Sequence, residues 1–156
     1  MKCMKKKIKV DGEKVSVSSV TLKVKAKMPG GKDAKAIAVR RRIVSEAISN
    51  LDKIYCPALK SYVHYNSNSF REIKFQAAKS RKSVLLALNI EDLVARATFV
   101  KSTSPKNNKG QRDFDVVHFL AATVKGIGIA KIVVGENFSK DKKHHYSVTA
   151  VEGEGW

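Results

Sequence analysis

Alternating apolar and polar positions open the chain and predict strands. Residues Lys5 to Val10 and Lys14 to Ala26 alternate lysine or serine with valine, isoleucine or leucine, a period of two that is typical of strands with one wet face. Asp11-Gly12 between them favours a tight hairpin turn. We therefore predict a basic hairpin region over residues 1–31. Its second strand places three lysines on one face: Lys23, Lys25 and Lys27.

The period changes to a helical one near residue 33 and predicts a long helix that continues to Tyr55. Its apolar stripe contains Ile37, Val44, Ile48, Leu51 and Tyr55. Arg40 and Arg41 lie at the edges of this stripe, where they either contact nucleic acid or cover apolar surface with their long stems. Short strands are predicted within residues 59–76, followed by a helix over residues 77–88 and a second short helix capped by Asn89.

Three segments rich in β-branched and aromatic residues predict that the last third of the chain is mainly strand. They are Phe114 to Val124, Ile129 to Val134 and His145 to Val151, and their short connections favour antiparallel pairing. We therefore predict a single domain over residues 1–156. Its class is α+β: an N-terminal basic β-hairpin and a long helix, then short helices packed on a mainly antiparallel sheet of about four strands.

Charge and composition point to the class of partner. The chain carries a net charge of +17 over 156 residues, and such an excess attracts polyanions by releasing their counterions. RNA is the expected partner, with DNA, a protein inhibitor or an anionic protein as alternatives. Cys3 and Cys56 lack metal-ligand spacing, and no signal peptide or bilayer-length apolar run is present. We expect free thiols, no cofactor, no metal, no membrane partner and a cytoplasmic location.

Histidines are the candidate acid and base groups, because metal-free RNA cleavage needs both, together with cations that stabilise the phosphorane. His118 shares a strand face with Phe114, Val116 and Leu120, so a hydrogen-bonded sheet histidine is the alternative. In the last strand, alternation places His145 with Ser147 and Thr149 on one face and Tyr146 with Val148 on the other. If Tyr146 and Val148 face the core, His145 lies on a polar sheet surface.

Two basic segments are candidate phosphate contacts. Ser80-Arg81-Lys82-Ser83 begins a predicted helix, where cationic side chains and free backbone amides together hold anions. Lys101-Ser102-Thr103 follows the next helix. For both segments the alternative is an ordinary solvated basic surface. The chain has neither a phosphate-binding glycine loop nor a metalloprotease motif.

From about Phe70 to Glu152 the chain resembles the barnase/EndoU/colicin/RelE-like ribonuclease superfamily, particularly its divergent phage, mobile-element and toxin domains. The features that match are Lys79 to Ser83, the helix Ile90 to Ala97 with Thr98 to Ser102, the Val117-His118-Phe119 strand and the strand containing Tyr146. The resemblance implies helices followed by an antiparallel sheet whose open face binds RNA. It also implies metal-independent transesterification with Lys82, Ser83, His118 and Tyr146 in the site. Residues 70–152 are thus the predicted ribonuclease-like core, and residues 1–65 have no counterpart.

The leading hypothesis is a metal-independent endoribonuclease, a toxin or mobile-element effector, that cleaves RNA through its 2′-hydroxyl. His118 and His145 would share the acid and base roles, while Arg81, Lys82 and Lys101 hold phosphate. A first alternative is a non-catalytic phage or mobile-element protein that coats nucleic acid or blocks a nuclease with the basic hairpin and Arg40 to Arg42. A second is a phage structural or assembly protein.

Overall fold

Four helices pack against one face of an eight-stranded sheet in the part of the chain that the structure describes. The structure is a computed structural model that describes residues 5–105 and 114–151. The strands are β1 Lys5–Val10, β2 Glu13–Val20, β3 Lys53–Cys56, β4 Ser61–His64, β5 Thr98–Thr103, β6 Val116–Val124, β7 Gly128–Asn137 and β8 Lys142–Val151. The helices are α1 Ala34–Ile48, α2 Ser67–Ala77, α3 Arg81–Ala87 and α4 Ile90–Arg96, with a short 3₁₀ turn at Pro57–Leu59.

The sheet is mixed, with the strand order β1-β2-β6-β7-β8-β4-β3, and β5 also pairs with β6. Strand β2 runs parallel to β6, and β4 runs parallel to β8, whereas the other neighbours are antiparallel. The predicted mainly antiparallel sheet of about four strands is therefore wrong. Residues before position 65 add β1 to β4 to the same sheet through very short parallel ladders, such as Ser18–Val20 against Ala122–Val124. Local alternation identifies a strand but not such a distant partner.

The basic segment after β2 is extended but lies outside the sheet. The predicted strand to Ala26 ends at Val20, and an asparagine holds the chain beyond it. The Asn89 Oδ1 atom accepts hydrogen bonds from the amides of Lys23 and Val24 at 3.1 and 2.9 Å, and its Nδ2 donates to the Val24 carbonyl at 2.8 Å. Asn89 makes no side-chain cap bond to α4. The side chain predicted as a helix cap thus serves as a substitute strand partner.

Helix α2 replaces a predicted short strand at residues 70–75. The Asn66 side chain caps it by accepting a hydrogen bond from the Ser69 amide at 2.9 Å. The buried positions Ser69, Ile73 and Ala77 recur at intervals of four, a helical period that a short apolar run shows only weakly. The long helix also ends earlier than predicted, at Ile48, and Tyr55 belongs to β3.

The sheet separates two different environments. The helix-facing side buries the main core, which includes Val44, Ile48, Ile73, Leu86, Leu93, Leu120, Ile132 and Val148. The opposite face carries two smaller clusters. The first joins the hairpin residues Ile8, Val10 and Val17 to Ala121 and Ile129, and the second joins Val117, Phe119 and Val133 to Phe114 and Tyr146. Because successive residues of a strand point to opposite sides, each polar side chain in the sheet is assigned to one environment by its position.

Arg40 is engaged inside the protein, in contrast to the predicted nucleic-acid contact. Its residue is 0% exposed, and its guanidinium donates to the Ala78 carbonyl through Nε and to the Pro29 carbonyl through Nη1, both at 2.8 Å. Ala78 follows the last turn of α2, where the helix dipole favours a cation. One guanidinium therefore ties α1 to the end of α2 and to the segment that precedes α1.

The substitution Arg40→Ala should lower the free energy of unfolding by about 2–4 kcal/mol, since it leaves two carbonyls without their charged donor and creates a cavity. Arg41→Ala is the matched control, because the neighbouring Arg41 is exposed, and its stability should stay close to that of the unmodified chain. Urea unfolding followed by circular dichroism measures both. Equal losses for the two variants would contradict this account of Arg40.

Candidate functional site

A cleft of about 400 Å³ opens where the start of β8 meets the start of α2. Strand β8 supplies His144, His145 and Tyr146, and the chain entering β6 supplies Phe114. Helix α2 and its cap supply Asn66, Asn68, Ser69, Arg71 and Glu72, and the β7–β8 turn supplies Asn137, Ser139 and Lys140. The lining thus combines rings, amides and cations in one concave site.

Three rings form the wall of this cleft. Phe114 stacks on His144 with 6.4 Å between ring centroids and 25° between the planes, and meets Tyr146 edge-on at 6.5 Å. The Phe114 ring lies against Gly135, where a Cβ atom would overlap it. The absence of a side chain at Gly135 is therefore what lets the ring lie flat on the sheet.

The rings continue across the sheet towards its β3 edge. His64 lies beside His144 with 6.2 Å between centroids, in the parallel register of β4 and β8. Tyr62 shares the face of His64, and it packs edge-on against Tyr55 at 5.3 Å. Both tyrosines are 48% exposed. We call Phe114, His144, His64, Tyr62 and Tyr55 the aromatic row.

Cations surround these rings and shape the titration of the two histidines. Burial lowers the pKa of His144, and the neighbouring His64, Lys142 and Lys140 lower it further. Burial also lowers the pKa of His64, with Lys142 and Lys53 acting in the same direction. Arg71 and Lys140 line the cleft together with one carboxylate, Glu72. Both imidazoles are therefore neutral at neutral pH, and two cations against one carboxylate give the cleft a net positive lining.

Tyr146, which the ribonuclease resemblance implies as a catalytic residue, lies in this cleft. Its pKa is raised by burial and then by Glu72, so its hydroxyl stays protonated and acts as a hydrogen-bond donor.

His145 also borders the cleft, but its side chain is buried on the helix-facing side. It is 1% exposed, its Nδ1 accepts from the Tyr65 hydroxyl at 2.7 Å, and its Nε2 donates to the Ser147 carbonyl at 3.0 Å. The cause is a β-bulge: Val134 pairs with His145 but Val133 pairs with Ser147, so Tyr146 is an extra residue. The prediction of His145 on a polar sheet face assumed unbroken alternation along β8. One extra residue moves the His145 side chain to the opposite side of the sheet.

His118 also lies on the helix-facing side, between two other polar side chains. Its Nδ1 is 2.7 Å from the Ser102 hydroxyl, and its Nε2 is 2.7 Å from Glu136 Oε1. His118 and His145 both pair with Val134, one from each side. Lys82 lies next to Ser83, which contacts the other end of β8. The structure therefore does not bring His118, His145 and Lys82 around one cleft.

Ser83 contributes to the packing of α3 on the sheet. It is buried, and its hydroxyl accepts from the Ala150 amide at 2.9 Å and from Ser80 Oγ at 3.0 Å. Ser80 caps α3. Both serines of the predicted phosphate-binding segment are thus used inside the fold, whereas Arg81 and Lys82 remain exposed.

The remaining predicted nucleic-acid contacts are dispersed. Arg81 and Lys25 meet Lys125 in a second groove of about 450 Å³, which we call the basic groove. Lys101 pairs with Asp11 at 2.7 Å, and Lys23 lies 3.9 Å from Asp92. Arg41 lies over the exposed ring of Phe75 at 5.3 Å, and Lys27 is exposed.

Sequence reasoning missed most of the cleft. The predicted catalytic histidines are His118 and His145 and not His144. The short strands predicted within residues 59–76 leave no helix start at Asn66. The available signal was Asn66 itself, since asparagine followed by serine and an apolar residue at helical spacing is a helix start. Phe114 and Arg71 join the site only through tertiary packing.

Two further features concern metal ions and membranes within residues 5–105 and 114–151. There, no group of three or more histidine, cysteine, aspartate or glutamate side chains is placed to hold a metal ion. No helix in the same residues has the length and apolar character needed to span a bilayer. Cys56 is a free, buried thiol, and Cys3 lies outside the described residues.

Acid should destabilise the fold through His145. Burial lowers the pKa of this imidazole from 6.5 to about 4, so the unfolded chain takes up a proton that the folded protein excludes. Stability present above pH 6.5 is lost as the pH falls towards 4, by roughly 3 kcal/mol in total. Urea unfolding at several pH values measures this loss. The variant His145→Gln should show a shallower dependence, and an unchanged slope would contradict the assignment.

Comparison with known proteins places the chain in a family. No curated protein and no solved structure matches the chain. A family model described as Large polyvalent protein-associated domain 3 matches residues 35–146, which span α1 to the cleft strand β8 and include Asn66, Phe114 and His144. The chain therefore belongs to the Large polyvalent protein-associated domain 3 family, a domain associated with phages and mobile elements.

Proposed function

We propose that this domain binds single-stranded nucleic acid, RNA in the first place, in the cleft and along the aromatic row. The observation that carries the proposal is the grouping of three rings, Phe114, His144 and Tyr146, with Arg71 and Lys140 in one cleft. Rings and cations in one site are the two components of single-strand recognition.

The rings supply sequence-tolerant contacts to bases. Stacking of a base on an aromatic side chain contributes roughly 1–3 kcal/mol and requires a base that is not already stacked in a duplex. Tyr62 and Tyr55 extend the same face across β4 and β3. Successive bases can therefore stack on successive rings of the aromatic row. The domain should therefore prefer single strands to duplexes.

The polar side of the cleft binds phosphate. Asn66, Asn68 and Ser69 place the N-terminus of the 11-residue helix α2 there, and a helix N-terminus attracts anions. Arg71 presents a guanidinium that matches two phosphate oxygens, and Lys140 adds a second cation. These contacts hold the backbone without selecting a base.

The basic groove gives a second set of phosphate contacts. Lys25, Arg81 and Lys125 approach one another there, and no aromatic ring lines the groove among its described residues. We therefore assign it a purely electrostatic role in holding the backbone of a longer strand, which makes binding dependent on salt.

RNA cleavage is the second candidate function, and one feature of the cleft favours it. The His144 imidazole, neutral through its lowered pKa, lies with the Tyr146 hydroxyl and Arg71 in the same lining. A neutral imidazole can take the 2′-hydroxyl proton, a phenol can donate one, and a guanidinium can stabilise the phosphorane. The general base is then His144, in place of the predicted His145.

The variant Phe114→Ala should weaken binding of a fluorescent single-stranded RNA by roughly tenfold, because it removes one stacking ring. Phe99→Ala is the matched control, since Phe99 is 40% exposed and does not line the cleft. Fluorescence anisotropy at a fixed low salt concentration measures both. Equal effects of the two variants, or duplex binding as tight as single-strand binding, would contradict the proposed interface.

Binding should tighten as the pH falls from 7 to 5, since bound phosphate favours the protonated forms of His144 and His64. The lowered pKa of each imidazole places this change below its ordinary value of 6.5. Anisotropy titrations at each pH, with circular dichroism to confirm folding, measure the trend. His144→Gln should flatten it. A pH dependence that is unchanged in this variant would exclude His144 from the site.

Cleavage is tested with RNA in the presence of EDTA. A 2′,3′-cyclic phosphate end that disappears in His144→Gln and Tyr146→Phe would support the second candidate. If RNA is bound but remains intact, the domain is a binding module without ribonuclease activity.

A further inference from the structure

Three adjacent strands bring a serine, a histidine and a glutamate into one hydrogen-bonded chain outside the cleft. Ser102 on β5 lies opposite His118 on β6, with 2.7 Å between Ser102 Oγ and His118 Nδ1. Glu136 on β7 completes the chain, with 2.7 Å between its Oε1 and His118 Nε2. An activated nucleophile has this arrangement: a hydroxyl bonded to a base that a third group orients.

The hydrogen-bond pattern fixes the tautomer of the neutral imidazole. An ionised carboxylate only accepts hydrogen bonds, so His118 Nε2 carries the hydrogen that points to Glu136. Nδ1 then carries a lone pair, and the Ser102 hydroxyl is the donor to it. In this state the imidazole is ready to accept the serine proton, which is the first requirement for general-base activation.

Glu136 is itself held in place on its other side. Its Oε2 lies 3.5 Å from Lys143 Nζ on β8, while Oε1 faces the imidazole. The side chains of His118 and Glu136 are 13% and 16% exposed, whereas Ser102 is exposed. The base and its orienting carboxylate are therefore shielded, and the hydroxyl is open to an incoming substrate.

The surroundings of Ser102 offer the other elements of such a site. A β-bulge in β5 lies just before it, between Phe99 and Lys101, and bulges commonly re-aim side chains next to active sites. Among the described strands, β5 pairs only with β6, so no second strand covers its other edge. Phe99, 40% exposed, lies 6.2 Å from the imidazole and offers an apolar contact.

We propose that Ser102 is the nucleophile of an acyl-transfer centre that acts on esters or amides with an apolar acyl group. Its Oγ forms a bond to the acyl carbon while its proton passes to His118 Nδ1. The bond to the leaving alcohol or amine breaks as that group takes the proton. Water then attacks the acyl-serine, gives its proton to Nδ1 and releases the carboxylic acid as Ser102 recovers its hydrogen. This activity is separate from the proposed nucleic-acid binding.

The experiment is labelling of the full chain with an alkyl fluorophosphonate, which reacts covalently with activated serines, followed by peptide mass mapping. The adduct is expected on Ser102 at one equivalent per chain. Ser104, exposed and two residues away, is the internal control and should remain unlabelled. Mapping on the unmodified chain needs no variant to fold. Absence of an adduct on Ser102, or equal labelling of Ser102 and Ser104, would overturn the proposal.

Two variants distinguish an activated Ser102 hydroxyl from one that reacts only because it is exposed. His118→Gln should slow labelling by at least about tenfold, because it removes the base. Glu136→Gln tests a positioning residue: it should slow labelling while hydrolysis of p-nitrophenyl acetate loses kcat more than it changes KM. Unchanged labelling rates in variants with a native circular dichroism spectrum would show that Ser102 is an ordinary hydroxyl. Lys35→Ala, at an exposed position of α1 outside both proposed sites, should label at the unmodified rate. RNA binding is measured separately from labelling, so failure of one proposal is distinguishable from failure of the other.

Discussion

The β6–β7–β8 ladder, with one extra residue in β8, is the constraint on which the rest of the molecule depends. Tyr146 interrupts the pairing of β8 with β7, and this bulge decides which side of the sheet His144 and His145 face. His144 and Tyr146 reach the cleft with Phe114, whereas His145 turns into the helix-facing core against Tyr65. The sheet separates the cleft from the helix-facing core, so the neighbouring residues His144 and His145 lie in different surroundings. The imidazole of His144 lines the cleft among cations, and that of His145 is held neutral in the interior.

Two polar side chains join segments outside this ladder without regular strand pairing. Arg40 joins α1 to the end of α2 and to Pro29, and Asn89 provides hydrogen-bond partners for Lys23 and Val24. Both bind backbone groups, and the bond from Arg40 to the Ala78 carbonyl is fully buried, where losing a partner is costly. The high charge of the N-terminal third therefore has a divided role. Part of it, as at Arg40, stabilises the interior, and part, as at Lys25 in the basic groove, remains on the surface.

The parts of the fold that could be predicted from sequence are those with a strong local signal. Asp11-Gly12 forms the turn of the N-terminal hairpin, as predicted, and the apolar stripe of α1 contributes Val44 and Ile48 to the core. The prediction of the sheet was wrong in strand number and strand direction. Parallel ladders of two and three residues leave no local pattern in the sequence. The site was harder to predict for a related reason. The placement of His145 depended on a register that the Tyr146 bulge changes, and Phe114 reaches His144 only because Gly135 has no side chain.

Nucleic-acid binding and serine chemistry are thus proposed for opposite sides of one sheet in a phage and mobile-element domain. The most direct test of this division is NMR observation of the imidazole signals of all four histidines during titration with a short single-stranded RNA. We expect the signals of His144 and His64 to shift, while that of His145 stays unchanged and His118 keeps its Nε2–H tautomer. Shifts that begin at His118 or His145, with His144 and His64 unaffected, would contradict the account.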